Sequence, residues 1–322
     1  MASSTAAGLD PSSASGTTID VGNLAPAELS EDASRGKQVI ITSDDFGFSR
    51  EVNAAVRRAH REGVLTAASL MVAGDARDEA AAIAHDSPEL DVGLHLVVCR
   101  GTSVLPAADL PNLTDANRGF PENPVMAGMR YFFERRLRSL LRDEIRAQIE
   151  LHLQLVGKLN HIDGHLNFHV HPAIADILIE LAVEYRVPCL RLPREPVFTT
   201  LRLARDNAAR KLVEAVIFRA LSRRTRGMMA AHGIRSTDRL YGLHQSGNLS
   251  EEYVIGVIGG LGPGLTEIYF HPAEDAGGTP PSAQAQSETN ILTGARIRAA
   301  LDAAGVQLTN FAEIARLPTK VS

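Results

Sequence analysis

The sequence predicts an α/β fold organised on a mainly parallel sheet, either doubly wound or closed into a barrel. Three observations carry that expectation. Short apolar runs alternate with helical patterns along nearly the whole chain, the signature of repeated strand–helix–strand units. Four of those runs end in a titratable or metal-competent side chain, as happens where strand ends converge on one crevice. The chain also has 322 residues, 44% hydrophobic and 22% charged. That suits one large globular domain or two small ones, and a single (β/α) barrel fits the same length.

Residues 1–36 are rich in Ala, Ser, Thr, Gly and Pro and hold few large apolar groups. Too little surface can be buried there to offset the ordering entropy, which predicts a disordered tail. The fold begins at Lys37. Val39–Thr42 is a β-branched strand run, and Ser49 then reads as the N-cap of a helix through Arg61, closed by Gly63. Leu65–Val72 is a second strand candidate, an Ala-rich helix follows between Ala76 and His85, and DVGLHLVV supplies a third strand. Residues 101–128 read as a long Pro- and Asn-rich loop, and Leu140–Leu155 has helical spacing with many charges. NHIDGH holds a short strand, and Pro172 sits at the first position of the helix AIADILIELAVEYR. CLRLP, TEIYF and VQLTN are further strand candidates, the last two separated by a helix around Ala295–Ala304. The Gly-rich Val257–Gly264 reads as a helix stop followed by a turn.

Composition removes several function classes. The net charge of −5 gives no support to nucleic-acid binding by the whole molecule. Neither GxGxxG nor GxxxxGK[ST] occurs at a strand-to-helix turn, so the nucleotide-binding versions of this architecture lose support. Cys99 and Cys189 each follow an apolar run, the setting of a buried inert thiol rather than of a disulfide framework or a CxxC zinc site. The N-terminal stretch lacks the basic and apolar regions of a secretory signal, and no run of roughly 18 apolar residues is present to span a membrane. The expected compartment is the reducing cytoplasm.

The chemistry sits at the strand ends. VIITS runs into Asp44 and Asp45, VGL into His95, LNHID into His165, and EIYF into His271. A hydrolytic metal needs about three His or carboxylate ligands and an open position. It lowers the pKa of a bound water from about 15.7 towards 7 and polarises a carbonyl. Of two adjacent aspartates, one can turn to the ion and the other take the water's proton, while a histidine protonates the leaving amine. Each residue also has an ordinary structural explanation: a DD pair caps helices, and a histidine between leucines is commonly a satisfied core residue. HIDGHLNFHVHP is different, with four histidines and one aspartate in twelve residues; only some can touch one ion, and the rest would orient ligands or meet substrate. His60, His85, His152, His232 and His244 lie in polar contexts and are expected on the solvated surface.

Taken together, TSDDFGFSREVNAAVRRAHREGVLTAASLMV, VGLHLVV, HIDGHLNFHVHP, LRLPREP and YFHPAE, running from about Val39 to Glu274, resemble the YdjC/ChbG-like carbohydrate deacetylases. EVNAAVRRAHREGVLTAASLMVAG, VLPAADLPNLTDANRGF and MRYFFERRLRSLLRDEIRAQIE look like the hopanoid-biosynthesis-associated (HpnK-type) branch. The resemblance implies a distorted, TIM-like (β/α) barrel of the polysaccharide-deacetylase type, with one metal site at the C-terminal ends of the strands. It would occupy residues 37–322 as a single domain with inserted helical segments at about 126–157 and 201–230. It implies a metal-dependent deacetylase, often a homodimer, holding one divalent ion: zinc or magnesium, with manganese or cobalt as alternatives. By position, Asp44 would be the general base, and Asp45, His95 and His165 the metal ligands. His271 would be the acid or would stabilise the reacting oxygen. Arg191, Glu195, His169 and His171 would contribute to the substrate pocket, and His161 and Asp163 would support the ligands from behind. Asn167 stands where a His is common in relatives.

The branch further implies a lipid-linked substrate, an N-acetylglucosaminyl hopanoid deacetylated to the glucosaminyl form. Residues 201–230 hold eight Lys or Arg against two acidic residues, with Leu212, Val213, Val216, Ile217, Ala220 and Leu221 at helical spacing. Met126–Leu141 has a similar make-up, with Arg130, Arg135, Arg136 and Arg138 beside its apolar residues. Such basic amphipathic helices can lie on an anionic bilayer at the inner membrane surface, or bury their apolar faces on the barrel or a dimer partner. Soluble chitooligosaccharides are the alternative substrate. A metallo-phosphoesterase is the alternative chemistry, and would want ligands for two ions about 3.5–4 Å apart. Nucleic acid is not an expected partner.

Overall fold

The computed structural model describes residues 36–317; the tail expected over 1–36 lies, but for residue 36, outside the described residues. The sheet among them has eight strands, all paired in parallel. From one edge it runs β5 (Cys189–Leu190), β4 (His161–Gly164), β3 (Asp91–Leu96), β2 (Ala67–Leu70), β1 (Lys37–Phe46), β7 (Gly264–Phe270) and β6 (Arg239–Tyr241). The eighth, β8 (Val306–Leu308), pairs with the first half of β1 on the side that β2 takes over from Thr42 onward.

The sheet curls until its two edges meet. Cys189 bridges to Arg235, the Leu190 N–H donates to the Arg235 carbonyl at 2.9 Å, and the Leu240 N–H donates to the Arg194 carbonyl at 3.3 Å. Of the two architectures the alternation allowed, the chain takes the barrel, with a seam made from a two-residue strand and irregular backbone. Inward-facing positions alternate along each strand. At the base they are apolar: Ile40, Ala67, Cys189 and Leu265 pack with Phe311 and Ile314 of α11 (Phe311–Ala315), which plugs that end. Higher in the barrel they turn polar, with Thr42, Ser69, Asp163, Arg191 and Glu267 all buried.

The outward positions meet the helices. Val39 and Ile41 join Val52, Val56 and Ala59 of α1 (Arg50–Glu62) in the main core. Ser49 caps α1 by accepting from the Val52 N–H, and Gly63 ends it, as expected from the sequence. α2 (Arg77–Asp86), α5 (Pro172–Glu184) and α10 (Ala295–Ala303) also fall where the patterns put them. α8 (Glu251–Gly259) stops in the Gly-rich stretch. β6 and α9 (Ala283–Thr293) had no expectation attached, and α6 (Val197–Leu203) only at its end; β6 has three residues, and α9 is a largely polar helix.

Met126–Leu141 is not one helix. α3 (Pro124–Phe133) and α4 (Leu137–Val156) are separated by Glu134–Arg136. In a continuous helix Phe133 and Leu137 would share a face, yet Phe133 is 65% exposed and Leu137 1%. The break lets α4 turn Leu137, Leu141, Ile145 and Ile149 onto the core while α3 keeps its aromatic face outside. The basic segment 201–230 spans the end of α6 and most of α7 (Ala208–Ala231). Leu212, Val213, Val216 and Ile217 on α7 stay exposed, Val216 to 70%, so this face is not buried on the barrel. No helix among the described residues is long and apolar enough to cross a membrane.

Candidate metal centre

The site begins with a break in β1. Asp45 has φ of 60°, a left-handed conformation rarely adopted by a residue other than glycine, and the register with β2 shifts between Ser43 and Phe46. That kink sends two neighbouring carboxylates in different directions, Asp44 into the barrel and Asp45 over its rim. The following turn is fixed by Asn53 of α1, which accepts from the Gly47 N–H at 2.9 Å and donates to the Ala76 carbonyl and to Glu79. Gly47 itself has φ of 85°, and a Cβ there would fall 2.7 Å from Leu70, so the glycine of DDFG is required by both backbone and space.

Asp45 Oδ1 lies 3.1 Å from His165 Nδ1 and 3.2 Å from His95 Nε2. One donor atom from each of the three residues falls within 4.8 Å of the others. His95 closes the buried side, at 1% exposure, while Asp45 and His165 remain about one-fifth open. Behind His95, its Nδ1 meets Asp163 Oδ1 at 2.7 Å and Ser69 Oγ at 3.2 Å. A carboxylate on the far nitrogen aims the other nitrogen at an ion and makes it more basic. His95 Nε2 is buried, and the group nearest to it is the Asp45 carboxylate. Burial disfavours a charge on this ring, yet contact with Asp163, helped by Asp45 and Asp44, pushes its pKa up to about 10. Burial likewise acts against charge on Asp45, but hydrogen bonds from His165 and His95 hold its carboxyl well below the usual range. The pocket favours positive charge at the point where His95 Nε2, His165 Nδ1 and the Asp45 carboxylate converge. These residues fit one divalent cation with an open, solvent-facing side.

Arg191 lies directly beneath. Its guanidinium is 1% exposed and meets Asp44 through both nitrogens (2.7 and 2.8 Å), Asp163 at 2.8 Å and Glu267 at 2.7 and 3.0 Å. It also lies over the Tyr269 ring, 4.6 Å from the centroid. Thr42 donates to Glu267 at 3.0 Å. The fork fixes the Asp44 carboxylate beside the Asp45 group. For Asp163, burial opposes ionisation, while Arg191 and His95 pull its pKa well down.

His271 follows β7 at the same rim. Its ring stands edge-on to Tyr269 with centroids 5.6 Å apart, it lies close enough to Asp45 to act on that carboxyl, and its backbone N–H donates to Glu288 at 2.6 Å. His169 is buried behind the site with Nε2 3.0 Å from the Arg191 carbonyl, and burial pushes its pKa down to about 4. The other candidates lie elsewhere. His161 sits two residues before Asp163 on the same inward face and therefore lower in the barrel, stacked on Phe311 at 4.0 Å and 3.9 Å from Asp91. Glu195 takes hydrogen bonds from Thr200, from Tyr253 at 3.0 Å and from the His244 N–H at 3.0 Å, tying α6 to α8. His171 faces a groove between α3 and α7, near Phe132 and Phe168.

Two surface expectations are corrected. His152 and His244 are buried: His152 lies on the inner side of α4 with Ile145 and Ile149, and His244 sits 3.4 Å from Glu214. Both cysteines are buried and free, as expected. Sequence reasoning missed Thr42, Ser69, Glu267 and Tyr269. The signal was present in the alternation: Thr42 and Asp44, Glu267, Tyr269 and His271, and His161, Asp163 and His165 are each spaced by two, which puts each set on one face of its strand.

Residues 38–303 match the family model described as YdjC-like protein. A carbohydrate deacetylase from Geobacillus stearothermophilus is 30% identical over 284 residues, 86% of this chain and 98% of that protein. Another from Brevibacillus brevis is 40% identical over 153 residues, and there the match spans 47% of this chain and 58% of the relative. Other relatives, from Vibrio species, are likewise matched over little more than half their length, 57% for the one from Vibrio parahaemolyticus. The fold is shared with a crystal structure from Enterococcus faecalis V583, at a TM-score of 0.67 and 23% identity over 87% of this chain and 99% of that one. The chain belongs to the YdjC-like family.

Proposed function

We propose that this chain is a divalent-metal-dependent carbohydrate deacetylase, an amide-bond hydrolase that releases acetate from an N-acetylated amino sugar. The observation that carries the reading is the grouping of Asp45, His95 and His165 beside an Asp44 that Arg191 holds in place. Relatives that match this chain are carbohydrate deacetylases. A divalent ion held by the three ligands would supply Lewis-acid polarisation of the acetyl carbonyl and a water of lowered pKa. Asp44 takes the proton of the attacking water as the new C–O bond forms. His271 gives a proton to the nitrogen as the C–N bond breaks, leaving acetate and a free amine. Zinc and magnesium are the ions proposed, with manganese or cobalt as alternatives.

For the substrate we favour a lipid-linked N-acetylglucosaminyl group, as in an N-acetylglucosaminyl hopanoid. The exposed apolar face of α7, with Arg219, Arg223 and Arg224 also exposed on the helix, supports peripheral contact with an anionic membrane. A soluble chitooligosaccharide is the second reading. The phosphoesterase alternative would use the second acidic grouping, Asp44, His95 and Asp163, as another metal site. There the Arg191 guanidinium already pairs with both carboxylates, which speaks against it. The test is acetate release from an N-acetylglucosaminyl lipid and from diacetylchitobiose by protein stripped of metal and reloaded. Release from the lipid with one ion per chain is expected. Release from diacetylchitobiose alone would replace the lipid reading, and two ions per chain without acetate release would replace the deacetylase reading.

A further inference from the structure

The groove beside the site has a shape and chemistry of its own. Its volume is about 330 Å³, at the lower end of the range for small-molecule sites. One wall is α3, through Val125, Met129 and Phe132, and the opposite wall is Phe218 and Leu221 of α7. Its inner end is the turn Leu166–Phe168, which directly follows His165. Leu166 and Asn167 both have positive φ, 54° and 56°, so two successive non-glycine residues are held in a sparsely populated conformation. Asn167 lines the groove and lies close enough to Tyr269 to act on its hydroxyl, on the ring that packs against His271 and Arg191. The groove therefore runs up to the candidate metal centre.

Its apolar lining is left open by the sequence itself. Gly128 lies in the interior of α3, an unfavourable place for glycine. A Cβ there would meet only His171, at 3.5 Å. A side chain is absent where one would be tolerated, and the space it would take belongs to the groove. Beyond the mouth, Ile217 lies one turn before Leu221 on α7 and continues the exposed apolar face of Val213 and Val216.

We propose that this groove is the seat of the hydrocarbon part of the substrate: an apolar aglycone lies between α3 and α7 while its sugar reaches the metal centre past Leu166 and Asn167. The inference rests on the deacetylase reading only for the identity of the sugar's reaction; the seat itself is a binding site for hydrocarbon attached to a hexose.

The test uses the full chain and n-alkyl β-glucosides of increasing length, below their micelle concentrations, with binding followed by calorimetry. Each buried methylene should tighten binding about fourfold, so the octyl compound should bind at least one hundredfold more tightly than the methyl one. Gly128→Leu fills the groove, and Met129→Glu, at a half-exposed position that tolerates charge, places an anion on its wall. Both should flatten the dependence on chain length, while Gly128→Ala, a better helix former, should retain most of it. Binding that ignores chain length would overturn the inference, as would a dependence that both variants leave intact. A dimer that covers the groove and is not displaced by octyl glucoside would overturn it too. Acetate release from the matching alkyl N-acetylglucosaminides separates the two claims. Release without a chain-length effect removes the seat and leaves the deacetylase. Chain-length-dependent binding without release leaves the seat and removes the deacetylase.

Discussion

Replacing Asp163 with Asn tests how the proposed metal centre is held together. Asp163 touches no solvent; one oxygen is 2.7 Å from His95 Nδ1 and the other 2.8 Å from Arg191. While the carboxylate is present it accepts from Nδ1–H, which leaves the lone pair on Nε2 facing Asp45. An amide of the same shape can instead donate to Nδ1, which moves the ring proton to Nε2 and removes the ligand. Losing such a partner costs roughly 10- to 100-fold in metal affinity, or about 1.4–2.7 kcal/mol. The affinity should be read by competition with a chromophoric chelator at fixed pH, with circular dichroism to establish that the variant is folded. The variant should bind zinc one to two orders of magnitude more weakly and turn over less only where metal is limiting. A folded Asp163→Asn protein with unchanged zinc affinity would refute the idea that His95 is a ligand oriented from behind.

Two further perturbations follow from the buried charges. Arg191→Met leaves Asp44, Asp163 and Glu267 without their common cation; removing one partner of a buried ionic cluster costs about 3–5 kcal/mol. The melting temperature should drop on the order of 10 °C, and a drop of only a degree or two would show that the cluster is not the keystone described here. His152 supplies a pH dependence: burial, with a smaller contribution from neighbouring His161, pushes its pKa down to about 3. The folded pKa lies below the unfolded value near 6.5, so the unfolded chain binds the extra proton. Stability from this group is complete above about pH 6.5 and is lost as pH falls towards 3. By pH 5 the loss should amount to roughly 2 kcal/mol, visible in denaturant midpoints and reduced in His152→Leu, whereas identical pH slopes in the two proteins would contradict it.

Much of the barrel was legible because its signals are local. Ser49 and Gly63 bracket α1, Pro172 opens α5, and each strand that carries a site residue is an apolar run ending in Asp or His. What was not legible depends on contacts far along the chain. The seam joins Cys189–Leu190 to Arg235, too few residues to leave a periodic trace. The break between α3 and α4 has neither Gly nor Pro at Glu134–Arg136; it exists because Leu137 finds the core and Phe133 does not. Nothing in the letters DD announces the positive φ of Asp45 that parts the two carboxylates. His152 was misread because its neighbours in sequence are polar or partly exposed, whereas its neighbours on the helix face, Ile145 and Ile149, are buried. The buried polar positions Thr42, Glu267 and Tyr269 were within reach of the two-residue alternation, but reading the strands as apolar runs with a polar end hid them.

The central claim is that Asp45, His95 and His165 hold the ion while Asp44 performs the proton transfer, and Asp44→Asn separates the two most directly. Metal content by mass spectrometry and acetate release from an N-acetylglucosaminide should be measured on the same preparation, reloaded with zinc. One ion per chain is expected in both proteins, with a loss of turnover of at least a hundredfold in the variant. An Asp44→Asn protein that keeps its ion and its activity would contradict it, and so would a wild-type protein that binds the ion and releases no acetate.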